Sequence, residues 1–169
     1  MPEASGYTIR DARPDELDAA AEVMRQAYTE YSAVIPPNVW ERYQQDIVNV
    51  RSRLATSQLI VAVEGDDILG CLTFYPDGSK GGEWPSNYCG LRLLAVPPDT
   101  RGHGVGRALM EESIRRAKAL GAEYLGLHTT ELMAVARSMY ERMGFERIPE
   151  FDFHPAPGIV VTAYRLGLR

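Results

Sequence analysis

With 169 residues, 45% of them apolar and 24% charged, the chain has the size and composition of one folded globular domain, and a single domain over residues 1–169 is expected. A formal charge of −5 excludes the long-range positive field that draws a protein to nucleic acid or to an anionic membrane. No uncharged run reaches the roughly 20 residues of a membrane span, and Met1-Pro2-Glu3-Ala4-Ser5-Gly6 lacks the basic-then-apolar pattern of a signal peptide, so a cytoplasmic protein is expected.

In chain order, residues 7–10 read as a short strand. Pro14-Asp15-Glu16 then opens a helix to about Tyr31, in which Leu17, Ala20, Ala21, Met24, Tyr28 and Tyr31 keep helical spacing. After Ile35-Pro36-Pro37-Asn38 a second amphipathic segment carries Val39, Trp40, Tyr43, Ile47, Val50 and Leu54 on one stripe. Residues 59–63 and 68–75 are strands flanking the polar turn Glu64-Gly65-Asp66-Asp67, which suits an antiparallel hairpin. Residues 76–87 hold Asp77-Gly78, Gly81-Gly82 and Pro85 and read as a loop. Residues 91–96 read as a central strand stopped by Pro97-Pro98, which cannot donate to a ladder.

A helix over 104–120 follows, ended by Gly121, then a strand at 124–129 and a helix over about 131–143 stopped by Gly144. Phe145 starts another strand, 149–158 reads as irregular, and 159–166 is the last strand. The alternation predicts a mixed α/β sheet with a parallel right-handed crossover and helices on both faces. Cys71 and Cys89 lie in strand-like segments, and no Cys/His cluster has zinc spacing, so buried reduced thiols and no metal are expected.

The acidic chain concentrates base in one turn. Arg101-Gly102-His103-Gly104-Val105-Gly106-Arg107 lies between a strand end and a helix start, where glycines let backbone N–H groups approach an anion and the helix dipole adds partial positive charge. A diphosphate fits such a turn; so does a solvated glycine-rich loop. No Lys followed by Ser or Thr comes after the last glycine, which excludes a Walker A loop, and the glycine spacing is not that of a dinucleotide turn.

The run Leu94-Ala95-Val96-Pro97-Pro98-Asp99-Thr100-Arg101-Gly102-His103-Gly104-Val105-Gly106-Arg107-Ala108-Leu109 resembles the acetyl-CoA motif of the GNAT superfamily of N-acetyltransferases, [QR]-x-x-G-x-[GA] after a strand ending in valine. Ala136-Arg137-Ser138-Met139-Tyr140-Glu141-Arg142-Met143-Gly144-Phe145 is similar to that family's A-x-x-x-Y-x-x-x-G-F ending. The resemblance implies a mostly antiparallel sheet with a parallel, splayed strand pair forming an acetyl-CoA cleft. It implies that backbone groups of Leu94, Ala95 and Val96 meet the acetyl carbonyl and pantetheine arm, and that Arg101, Gly102, His103, Gly104, Val105, Gly106 and Arg107 hold the pyrophosphate. It also makes Tyr140, otherwise a packed aromatic by pattern, the acid that protonates the departing thiolate.

Two positions depart from the family. Met133 stands where an asparagine often contacts the cofactor, and Gly90 stands where many members carry a glutamate base. Glu83 and His128 are the remaining candidates for a general base, each with a plain reading as a loop charge and a strand-end histidine, and removal of the proton through water is the further route. Tyr31 to Asn38 and residues 149–158 correspond to the family's substrate pocket; in the latter, Glu150 and Asp152 between Phe151, Phe153 and His154 could attract an ammonium group or form an anchored surface loop. The implied activity is transfer of acetyl from acetyl-CoA to a primary amine in a ternary complex, by a monomer or homodimer that binds neither nucleic acid nor membrane. The competing expectation is a non-catalytic acyl-CoA-binding module.

Overall fold

The computed structural model describes residues 6–81 and 84–169. Two compact units emerge, Met1–Thr73 with Leu93–Glu112, and Phe74–Arg92 with Ser113–Arg169.

The first unit is entered through β1 (Thr8–Asp11), paired antiparallel with β2 (Gln58–Glu64) in the register Thr8 to Val63 and Asp11 to Ile60. A 3-10 turn over Pro14–Glu16 leads into α1 (Leu17–Tyr28). Proline suits the first turn because the N–H it lacks would have no helical partner. Glu16 accepts the Arg13 N–H at 2.8 Å and takes Arg10 of β1 in a two-pronged pair at 2.8 and 2.9 Å, so one carboxylate ties the helix start to the sheet. α1 buries Leu17, Ala20, Val23, Met24, Ala27 and Tyr28, a spacing that turns one stripe inward.

The bonds from Arg10 and from the Arg13 N–H hold the Glu16 carboxyl down to about 2, from an ordinary 4.5. A group depressed on folding stabilises fully above its unfolded pKa and loses that contribution as pH falls through the folded one. Glu16→Gln should therefore flatten the acid limb of a urea-midpoint profile between about pH 4.5 and 2; an unchanged limb would remove Glu16 from the account of acid unfolding.

The second helix is shorter than its apolar stripe predicts. α2 (Pro37–Val48) stops because Asn49 leaves helical geometry at φ −82°, ψ 65°, and Arg51–Arg53 forms a separate 3-10 turn. Arg53, only 8% exposed, reaches back to the carbonyls of Asp46 and Ile47, satisfying acceptors that the helix end leaves unpaired. A reader of periodicity alone continues the helix to Leu54 because Val50 and Leu54 keep the stripe. β3 (Asp67–Tyr75) follows β2, and the strand order in this unit is β1-β2-β3.

β4 (Tyr88–Ala95) begins in the second unit, three residues before the expected start. It pairs parallel with β5 (Tyr124–Thr129) through Tyr88 to Tyr124, Cys89 to Leu125 and Gly90 to Gly126, where that register ends, while β5 stays antiparallel with β8 (Ile159–Gly167) through Thr129. β6 (Glu146–Arg147) adds to β8, so the order here is β4-β5-β8-β6. The sheet is thus mixed and mostly antiparallel with one parallel pair, as expected. α3 (Val105–Ala119) precedes β5 and α4 (Ala134–Arg142) follows it.

Residues 149–158 are not irregular. A 3-10 turn over Pro149–Phe151 is followed by β7 (Phe153–Ala156), which pairs with β8. Pro155 and Pro157 hid that strand, because proline is tolerated at an edge where its missing N–H breaks no ladder bond. Both cysteines are buried free thiols, as expected.

Candidate active site

The glycine-rich turn belongs to the first unit. A 3-10 turn over Pro98–Thr100 leaves β4, and the Thr100 hydroxyl donates to the Leu69 carbonyl of β3 at 2.6 Å. Gly102 and Gly104 then take φ +89° and +78°, left-handed values that bring the chain around into α3. Ala108 N–H is the first to close a helical bond, onto the Gly104 carbonyl at 3.0 Å, so the donors of Val105, Gly106 and Arg107 precede the ladder at the positive end of the helix dipole. Tyr7 donates its hydroxyl to the His103 carbonyl at 3.2 Å.

The three bases of the turn differ in their duties. Arg101 donates through Nε to the Val96 carbonyl at 2.8 Å and through Nη2 to Glu30 at 2.6 Å, so its guanidinium is part of the scaffold that holds the turn on α1. Arg107 pairs with Glu111 at 3.2 Å, both more than half exposed, and His103 is exposed. Exposed pairs are worth about 0–1 kcal/mol, so an anion at the turn can draw Arg107 from Glu111 at small cost.

The end of β4 carries the other unusual backbone. Leu93 stands at φ +60°, a conformation that costs a branched residue about 1–3 kcal/mol and persists where its surroundings enforce it. Its side chain is 8% exposed and packed. The next carbonyl, of Leu94, accepts the Tyr28 hydroxyl at 2.8 Å. Tyr28 is fixed in turn by Tyr31 and Tyr43, whose ring centroids lie 5.8 and 6.1 Å away.

In the second unit Tyr140 lies on α4, 7% exposed, its ring 5.9 Å from that of Phe145. His128, half-buried on β5, sets Nε2 2.9 Å from the Phe151 carbonyl, which makes Nε2 the protonated nitrogen of the neutral ring and puts the acceptor lone pair on Nδ1. Trp84 is the residue around which this region is built. Its indole is 3% exposed, stacks on Tyr88 at 5.2 Å and meets His128 at 4.8 Å and Phe151 at 5.0 Å. It also explains Gly90: a Cβ there would come 3.2 Å from Trp84 Cδ1, so a longer side chain at that position meets the indole.

Glu83 lies outside the described residues. Asp152 does not serve as a free anion for an ammonium group, for it binds Arg147 at 2.7 and 2.8 Å and accepts the Ala163 N–H at 2.8 Å, and the Arg147 bond holds its carboxyl below the usual range. Sequence reading proposed the turn, Tyr140 and His128 as candidates. It missed Tyr28 and Trp84, which are ordinary apolar-stripe and loop aromatics until the fold shows what they touch.

Among known proteins, the profile of the acetyltransferase (GNAT) family matches residues 20–145. An uncharacterised N-acetyltransferase of Escherichia coli, YjgM, is 30% identical over 77% of this chain and 76% of its own length. An uncharacterised N-acetyltransferase of Schizosaccharomyces pombe is 23% identical over 87% of this chain and 86% of its own. The crystal structure of a GNAT-family acetyltransferase from Staphylococcus aureus superposes with a TM-score of 0.74 at 18% identity, covering 96% of this chain and 99% of that one. A GNAT-family acetyltransferase from Brucella melitensis, solved in complex with acetyl-CoA, gives 0.66 at 21% identity, covering 96% and 88%.

Proposed function

The chain belongs to the acetyltransferase (GNAT) family, and from that premise we propose that it moves the acetyl group of acetyl-CoA to a primary amine by direct attack within a ternary complex. The observation that carries this reading is the left-handed turn Gly102 to Gly104 opening α3, one 3-10 turn after a strand end that holds Leu93 at φ +60°. The turn offers the donors of Val105, Gly106 and Arg107 to a pyrophosphate, and Gly102 and His103 shape its approach. The extended backbone of Leu94, Ala95 and Val96 receives the pantetheine arm and acetyl group.

In the reaction the amine nitrogen bonds to the thioester carbon while the carbonyl oxygen gains charge. The Leu94 N–H donates to that oxygen, and a fixed donor stabilises it without reorganisation. The C–S bond then breaks and the sulfur takes a proton from the Tyr140 hydroxyl, while the amine proton leaves through water or to Nδ1 of His128. No covalent acyl-enzyme is needed. Burial pushes the Cys71 thiol up to about 12 and that of Cys89 up to about 11, the wrong direction for a nucleophile.

Tyr140→Phe keeps the ring against Phe145 and removes the hydroxyl. Its kcat should fall about tenfold or more while acetyl-CoA affinity stays within about twofold, because the proton is required only as charge develops on sulfur. Wild-type kcat, measured where chemistry is the slow step, would return Tyr140 to the core as a packing residue.

A further inference from the structure

Side chains hold two carbonyls along the end of β4. Tyr28 donates to Leu94 and Arg101 to Val96, each at 2.8 Å. Residues two apart in an extended strand direct their backbone N–H and C=O to the same side, so both bonds act on one strand edge. Both holders are anchored at the C-terminal turn of α1. Tyr28 is its last residue, and Arg101 reaches Glu30 and, at 3.5 Å, the Ala27 carbonyl.

A backbone N–H has no torsion of its own, so its direction is set by whatever holds the peptide planes around it. Leu94 follows a residue at φ +60°, where the ordinary strand geometry that would orient it is broken. The Tyr28 bond restrains Leu94 beyond Gly90, where the register with β5 has ended. We infer that Tyr28 is a positioning residue for acetyl transfer: its hydroxyl, by holding the Leu94 carbonyl, aims the Leu94 N–H at the acetyl oxygen. The inference rests on the reading of Leu94 as the oxyanion donor. The ring of Tyr28 packs against Tyr31 and Tyr43 and is 7% exposed, so its hydroxyl stays in place on a rigid support.

Tyr28→Phe preserves that packing and removes only the bond. With acetyl-CoA labelled at the carbonyl carbon, infrared difference spectra report the hydrogen bond to the acetyl oxygen without any turnover. In the wild type the bound carbonyl band should lie below its position in solution, and in Tyr28→Phe it should move back toward the solution value. The variant's kcat should fall about tenfold with acetyl-CoA affinity within about twofold. A shifted band identical in wild type and folded Tyr28→Phe, or an unchanged kcat, overturns the role of Tyr28 and leaves Leu94 as donor. An unshifted band in the wild type overturns the Leu94 reading and this inference with it.

Discussion

Gly104→Val should abolish the thermal stabilisation that acetyl-CoA confers. A ligand at 100 times its Kd that binds only the folded state adds about 2.7 kcal/mol. For a chain of this size that is about 5–10 °C in Tm, at about 2–4 °C per kcal/mol. Gly104 sits at φ +78°, and a β-branched side chain there both strains the turn, by about 1–3 kcal/mol, and stands where the pyrophosphate must approach the N–H groups. The protein itself has room for the change, since a Cβ would come no nearer than 3.6 Å to the Tyr7 hydroxyl, so the variant should fold. Gly121→Val supplies the control. It imposes similar backbone strain at φ +77°, beyond the C-terminus of α3, with nothing within 4 Å of its Cβ. Gly121→Val should lower the unliganded Tm and keep the ligand shift. An undiminished shift in folded Gly104→Val would remove the cofactor from this turn.

Gly126→Ala is expected to be a strongly destabilising change in the second unit. The added Cβ would lie 2.5 Å from Trp84 Cε2 and 2.6 Å from Cδ2. The indole has little room to retreat, being 3% exposed and stacked on Tyr88 with Phe151 and His128 on its other sides. Overpacking of a closed core costs about 1–3 kcal/mol, and a clash this short against a rigid ring belongs at the top of that range, about 3 kcal/mol. Denaturant unfolding should show the loss as a lower midpoint. A change under about 0.5 kcal/mol would mean that Trp84 is free to shift and does not fix the ring of His128.

The residues that made the candidate site legible in the sequence are those whose chemistry is local. The glycine turn, the proline pair that ends β4 and the tyrosine four residues after Ala136 are read from neighbours along the chain, because a left-handed turn and a helix face are set by short-range sterics. Long-range holders were invisible for the complementary reason. Tyr28 lies 66 residues from the carbonyl it binds, and nothing in its apolar stripe separates a hydroxyl that packs from one that donates across the fold. Trp84 sits in a segment rich in Gly and Pro that reads as surface, yet it fills the space above Gly90 and Gly126, two strand glycines whose small size has meaning only with the indole in view. Asp152, which the sequence offered as a carboxylate for an ammonium group, is taken up by Arg147 and the Ala163 N–H, partners 5 and 11 residues away. Among the described residues no helix is long and apolar enough to cross a membrane.

The central claim is that acetyl-CoA is consumed by an amine on this protein. Free thiol released from acetyl-CoA, followed across a panel of small amines, amino acids and peptides with free N-termini, tests it most directly. The account predicts release above background with at least one amine class, matched by the acetylated amine, and lowered about tenfold or more in Tyr140→Phe. Acetyl-CoA binding with release at background for every amine would contradict it.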